Sequence, residues 1–293
     1  MSRVFGIAGM QLWLSAKGGN LDYMSTRVDQ LMGAFPWVHM VVFSELAVPG
    51  LLHSNAEPLP GPTENALCKL AQKFGIWVVT GSLYEKVGTT VYNTCSVIDP
   101  KGNVVVRYRK MFPFTPFAAA TVPGEEFAVF DVPDVGRFGV SICYDMWFPE
   151  HSRTLAAMGA EVILHPVLTS TTDRDIELSI ARATAAVNQC YVVDINGCGG
   201  GGCGLSTFFG PEGNIIHKAG PNEALLPFEI DLERVERVRK RGIHTLGQPL
   251  KSFRDSPVTF DVYNPNSPLR GYLDSLGPVE KPTRVIPSGK ASS

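Results

Sequence analysis

The sequence predicts one α/β domain built from packed sheets, and three observations lead there. Short apolar, β-prone runs alternate with segments of helical spacing along most of the chain. Turn signals at Asp99-Pro-Lys-Gly102 and Gly210-Pro-Glu-Gly213 stand between strand-like runs, so some neighbouring strands are antiparallel hairpins. With 293 residues, 44% hydrophobic and 18% charged, the chain has ample material for a core. The alternation alone leaves the order of the layers open.

Residues 4–13 are apolar at most positions and read as a first strand. Residues 20–32 place Leu21, Met24, Val28, Leu31 and Met32 at helical spacing, and 38–43 is an apolar run expected to be buried on both faces. A helix capped by Thr63 is expected over 63–74, then a strand over 76–83. Strands over 92–98 and 103–108 flank the first turn signal. Residues 127–132 and 138–142 form another pair, 150–158 a helix ending at Gly159, and 161–165 a strand that Pro166 terminates. Residues 175–189 read as a long helix with Ile176, Ile180, Ala183 and Val187 on one side, followed by a strand over 191–196. Gly199-Gly-Gly-Gly202 is a loop without the spacing or helix start of a phosphate cradle, which argues against a nucleotide site. Strands over 206–209, 214–218 and 224–230 precede the charged run 231–241, whose alternating signs read as a solvated helix face. From Pro249 onward proline and polar residues dominate. The chain thus divides into a main domain over 1–247 and a C-terminal extension over 248–293, expected to be an oligomerisation arm or a partly disordered tail.

Composition excludes several classes. A formal net charge of −2 leaves no cationic excess to neutralise nucleic-acid phosphates. The apolar stretches fall short of the roughly 18 residues a membrane span needs, and the first ten residues look like a strand, not a signal peptide. Cys68, Cys95, Cys143, Cys190, Cys198 and Cys203 are scattered without the density of a disulfide scaffold. Reduced thiols and a cytoplasmic location are expected.

One segment concentrates chemical potential: Val140-Ser-Ile-Cys-Tyr-Asp-Met-Trp-Phe-Pro-Glu150. Cys143 ends an apolar run, and a polar turn and a Pro-Glu helix start follow it. Alone, such a cysteine is more often a buried structural residue. Glu45 and Lys110 also close apolar runs, at the strand ends where α/β sheets gather their chemistry. Together the three supply a nucleophile, a carboxylate base and a cation, the minimal set for acyl transfer. A metal site from Cys190, Cys198, Cys203 and His217 lacks Cys-x-x-Cys pairs, so neither metal nor cofactor is expected. A Cys–His pair using His151 or His165 leaves Glu45 and Lys110 without a role.

These segments, with Tyr92-Asn-Thr94, Gly136-Arg-Phe-Gly-Val-Ser-Ile-Cys-Tyr-Asp145, Arg182 with Asn188, and Gly210-Pro-Glu-Gly213, resemble the signature blocks of the nitrilase superfamily of carbon–nitrogen hydrolases. The resemblance runs from about residue 5 to about residue 240. It implies a four-layer α-β-β-α sandwich, a homodimer or higher homo-oligomer, and a metal-free reaction on a small molecule. In that reaction Cys143 attacks the carbonyl, Glu45 carries the proton, and Lys110 and the backbone N–H of Tyr144 hold the oxyanion. Cys143-Tyr-Asp145 is similar to the amidase and carbamoylase branches, which implies a primary amide or N-carbamoyl substrate. Nitrile hydrolysis on the same site and a non-catalytic binding or regulatory member are the alternatives.

The sequence departs from the family twice. Ser44 stands where a proline usually precedes the first glutamate. The family's second glutamate, several residues past the lysine, has no counterpart in 111–120, and Ala118 takes its place. Glu125 and Glu126 are the nearest acids and read as solvated loop residues. Phe117, Ala118, Trp147 and His165 are the candidate substrate contacts, with Phe112 and Tyr144 beside them.

Overall fold

The structure, a computed structural model, describes residues 3–115, 118 and 120–281. Among the described residues two large sheets form. The first runs Ala224–Asp231, Val4–Gln11, Met40–Phe43, Trp77–Val79, Thr90–Ile98, Leu83–Val87, with Val104–Arg109 also paired to Thr90–Ile98. The second runs Ile215–Lys218, Thr207–Phe209, Tyr191–Asn196, Val162–Val167, Gly136–Val140, Val129–Val132. Each has a parallel centre and antiparallel flanks.

Strand alternation sorts the apolar side chains into layers. Phe5, Ile7, Met40 and Val42 of the first sheet meet Phe138, Val140, Leu164, Val193 and Ile195 of the second in a shared inner core. Ala8, Met10, Val41 and Phe43 point the other way, against Met24, Val28 and Leu31 of helix Leu21–Ala34 and Leu67 and Leu70 of helix Pro62–Phe74. Ile163, Val192 and Phe209 pack on Leu155 of helix Pro149–Ala157 and on Leu178, Ala181 and Ala185 of helix Arg174–Asn188. Helices therefore cover both outer faces of two stacked sheets, the α-β-β-α sandwich. The sheets approach closely at Gly9, where a Cβ would stand 2.3 Å from Ile195 Cδ1.

Several elements differ from the sequence pattern, each for a physical reason. Pro166 does not end its strand, which continues to Val167. The pairing with Gly136–Val140 stops at Leu164↔Val140, so the missing proline N–H breaks no ladder bond on that side. Residues 76–83 are not one strand: Trp77–Val79 ends, the chain turns through Gly81 at φ +75, and Leu83–Val87 begins. Helix Pro62–Phe74 starts on proline after Gly61, so Thr63 is not its cap. Residues 199–202 join two-residue strands, Cys198–Gly199 and Gly202–Cys203, beside Trp13–Leu14.

The largest difference concerns the long helix. Ile176 and Val187, on the stripe expected to be buried, are 53% and 43% exposed. Helix Arg174–Asn188 instead buries Arg174, Glu177, Leu178, Ala181, Thr184, Ala185 and Asn188. Leu178, Ala181 and Ala185 lie flat on the sheet, while Arg174 and Glu177 are turned inward with partners waiting.

The charged run forms helix Leu232–Arg241, capped by Asp231 accepting from Glu233 N at 3.0 Å, and it buries Leu232, Val235 and Val238. Short helices Pro249–Arg254 and Arg270–Ser275 follow, with Leu269, Tyr272 and Leu276 exposed. No helix among the described residues is long and apolar enough to cross a membrane.

Candidate active site

Glu45 follows strand Met40–Phe43, Lys110 follows Val104–Arg109, and Cys143 opens the 3-10 turn Cys143–Trp147, just past Gly136–Val140. All three line one cavity of about 610 Å³. Alternation decides where Lys110 points: it shares the inner face of its strand with Tyr108, while Arg107 and Arg109 face outward. Each arginine is held at both ends of its fork, Arg107 by buried Glu64 at 2.8 and 2.7 Å and Arg109 by Glu85 at 2.8 and 2.7 Å. The outer face is thus clamped, and Lys110 is aimed inward.

Lys110 Nζ donates to Glu45 Oε1 at 2.7 Å, and Asn93 Nδ2 donates to the same oxygen at 2.8 Å. Burial opposes charge on Lys110, but the carboxylates of Glu45 and Asp145 outweigh it and hold the ammonium above the ordinary lysine value. Lys110 is therefore a fixed, buried cation, suited to receiving negative charge on a reacting oxygen.

Cys143 sits at φ +46, a left-handed conformation that costs a non-glycine residue energy and projects its side chain from a tight turn. Asp145 supports that turn. Its Oδ2 accepts from Ile142 N at 2.9 Å and Tyr108 Oη at 2.7 Å, and its Oδ1 accepts from Phe112 N at 2.8 Å. Tyr108 Oη also lies 2.8 Å from His151 Nε2. One carboxylate thereby joins the Cys143 turn, the Lys110 strand and the loop after it. The Tyr144 N–H falls in the first turn of a helical segment, where backbone donors have no intrahelical acceptor. Burial pushes the Cys143 thiol well above its usual range, Glu45 adds to this and Lys110 opposes it. The resting group is a protonated thiol that needs a base to attack.

Two residues that the sequence did not single out complete the site. Cys143 Sγ lies 3.9 Å from Thr169 Oγ1 and 4.0 Å from Glu177 Oε1. Thr169 Oγ1 donates to Glu177 Oε1 at 2.9 Å. Glu177 is only 7% exposed, its Oε2 is 3.4 Å from Arg174 Nη1, and Arg174 binds Asp194. Burial pushes the Glu177 carboxyl up to about 7; Arg174 opposes the rise, and Asp194 reinforces it.

That shift has a thermodynamic consequence. A carboxyl whose folded value exceeds its ordinary 4.5 destabilises the fold as pH rises from 4.5 toward 7. Glu177→Gln is therefore expected to stabilise the protein by about 3 kcal/mol at pH 8 and by almost nothing at pH 4. Urea midpoints at the two pH values measure this, and an effect independent of pH would contradict it.

The other predicted residues divide. Ala118, Tyr144 and Trp147 line the cavity with Glu45, Lys110 and Cys143. Phe117 lies outside the described residues. His165 does not line the cavity: it is buried with Nε2 3.8 Å from Asp194 Oδ2, and burial lowers its pKa to about 4. Because Asp194 is already committed to Arg174, His165 stays neutral. Glu125 and Glu126 are exposed and outside the cavity. Among the described residues no imidazole is in hydrogen-bond contact with Cys143 Sγ: His151 is occupied by Tyr108, and His165 lies beside Asp194.

A thiol, a carboxylate and a buried lysine at the strand ends of an α-β-β-α sandwich define a class of hydrolase. Residues 6–240 match the carbon–nitrogen hydrolase family, and this chain belongs to it. It is a hydrolase of carbon–nitrogen bonds other than peptide bonds. The omega-amidase NIT2 of Danio rerio is 30% identical over 255 residues, covering 81% of this chain and 92% of its own. The omega-amidase NIT2 of Homo sapiens is 30% identical over 201 residues, covering 64% and 72%. Among solved structures, Saccharomyces cerevisiae Nit3, a member of branch 10 of the nitrilase superfamily, superposes with a TM-score of 0.74 at 28% identity over 81% of this chain and 93% of its own. A carbon–nitrogen hydrolase from Helicobacter pylori G27 gives 0.75 at 26% identity over 89% and 97%.

Proposed function

We propose that the protein is a thiol amidohydrolase that cleaves a primary amide or N-carbamoyl compound through a thioester on Cys143. The observation that carries this reading is the 2.7 Å Glu45–Lys110 pair lining the same buried cavity as the thiol. Cys143 Sγ attacks the carbonyl carbon as Glu45 takes the thiol proton. The carbonyl oxygen becomes an alkoxide held by Lys110 Nζ and the Tyr144 N–H. Collapse breaks the C–N bond, Glu45 returns the proton to the leaving nitrogen, and ammonia or an amine departs. Glu45 then takes a proton from water, whose oxygen adds to the thioester. The second collapse releases the acid and restores the thiol.

Similarity to omega-amidases supports amides over nitriles. Ammonia release across a panel of primary amides, N-carbamoyl compounds and nitriles tests the reading, with mass spectrometry for an acyl group on Cys143. Ammonia from amides or carbamoyl compounds, with the matching adduct, is the expected result. Preference for nitriles, or no turnover and no adduct with any compound, contradicts it.

All six cysteines are free, including Cys198 and Cys203, which oppose each other in a hairpin. That supports a reducing, cytoplasmic setting. The apolar side chains exposed after residue 248 support an oligomerisation role for the C-terminal extension in a homodimer or higher homo-oligomer.

A further inference from the structure

The cavity carries a carboxyl that the reaction above does not use. On the tetrahedral carbon bonded to Cys143 Sγ, the oxygen belongs with Lys110 and Tyr144 and the leaving nitrogen with Glu45. The acyl substituent is the group left without a partner, and the polar groups beside the sulfur that the reaction does not use are Thr169 and Glu177, at 3.9 and 4.0 Å. Thr169 spends its hydroxyl hydrogen on Glu177 Oε1, so its oxygen can only accept from the cavity, as do the Glu177 oxygens when that carboxyl is ionised.

The charge balance points the same way. Glu45, Asp173 and Glu177 line the cavity, and Lys110 is the single lysine or arginine lining it among the described residues, already held by Glu45. Arg174 lies behind Glu177 and is bound to Asp194. An anionic acyl substituent finds carboxyls and no unpaired lysine or arginine among the described lining residues, and the imidazole there, His53, is hydrogen-bonded to Thr121.

We propose that Glu177 and Thr169 are specificity-determining residues that bind an N–H donor within two bonds of the reacting carbonyl carbon, so that the favoured substrates are α-amino amides or N-carbamoyl amines and acidic amides are rejected. Aromatic walls from Tyr84, Phe114 and Trp147 suit the rest of such a molecule and tolerate positive charge. The inference rests on the amidohydrolase reading. It also places an acid in the cavity from helix Arg174–Asn188, while Ala118 of the loop after Lys110 lines it without one.

The test uses isosteres. Glycinamide and N-methylurea each match propionamide in size and shape but replace one carbon by a nitrogen donor; malonamic acid adds a carboxylate. The expected kcat/KM of the purified full chain is at least tenfold higher for glycinamide or N-methylurea than for propionamide, with malonamic acid below propionamide. Which donor compound leads identifies whether an ammonium or a ureido nitrogen is the natural group. In Glu177→Leu and Thr169→Val the ratio to propionamide is expected to fall to twofold or less, and the wild-type ratios decide the matter if a variant does not fold. Propionamide or malonamic acid cleaved as well as the donor compounds overturns this inference and leaves the amidohydrolase intact. No ammonia and no Cys143 adduct from any of the four overturns both.

Discussion

Cys143→Ala is expected to abolish amide turnover, a loss of roughly 10⁴-fold or more, while leaving the fold in place. Among the described residues lining the cavity Cys143 is the one thiol, and its polar neighbours are a threonine already donating to Glu177 and the carboxyl it donates to. The substitution removes one buried sulfur from a turn that Asp145 holds through Ile142, Tyr108 and Phe112, so the stability change should stay near or below about 1 kcal/mol. Cys143→Ser is the sharper variant, because it keeps a nucleophilic atom but one that Glu45 must deprotonate from a much weaker acid. Ammonia release in single-turnover and steady-state assays reports both. Wild-type-like turnover in either variant would refute the mechanism.

Lys110→Ala should produce two losses with different signatures. Removing the fixed cation is expected to slow acylation by roughly 10²–10³-fold while changing substrate affinity much less, because the ammonium acts on charge that develops only as the carbonyl is attacked. The same change strips buried Glu45 of its ion-pair partner and leaves Asn93 as its remaining donor, which should cost about 3–5 kcal/mol of stability. Rapid-quench acylation and urea unfolding separate the two effects. Unimpaired acylation in a folded variant would remove Lys110 from the oxyanion site.

Much of the site was legible because it sits at strand ends. Met40–Phe43, Val104–Arg109 and Gly136–Val140 announce themselves as apolar runs, and Glu45, Lys110 and Cys143 are the reactive groups that follow them. Strand periodicity carried the layering as well, since alternate residues of Val4–Gln11 fall cleanly into the inner and outer cores. What escaped was set by tertiary partners. Ile176, Ile180, Ala183 and Val187 make a plausible apolar stripe, yet helix Arg174–Asn188 is rotated so that Arg174 and Glu177 point inward. Two charged residues on a helix face read as solvent-facing until Asp194 and Thr169, from other segments, are seen to receive them. The same blind spot hid Glu177 as an acid of the cavity, because it comes from a segment 67 residues beyond Lys110. His165 failed in the opposite sense: a histidine closing a strand looks available, and burial beside an already occupied Asp194 makes it inert. Asn93 was visible inside a family block, but its bond to Glu45 depends on how two strands lie relative to each other.

The bonds around Asp145 bear on how such an enzyme can diversify. By accepting from Phe112 N, this one carboxylate fixes the base of the loop that leaves the Lys110 strand, while Phe114 further along packs edge-on against Tyr144 beside Cys143 and Ala118 lines the cavity. A chain arranged in this way can exchange or lengthen the stretch beyond Phe114 and retune what it accepts while Asp145 keeps the Cys143 turn and the Lys110 strand in place. For protein engineering, the loop past Phe114 is the place to graft new selectivity, and Asp145 is the residue to leave alone.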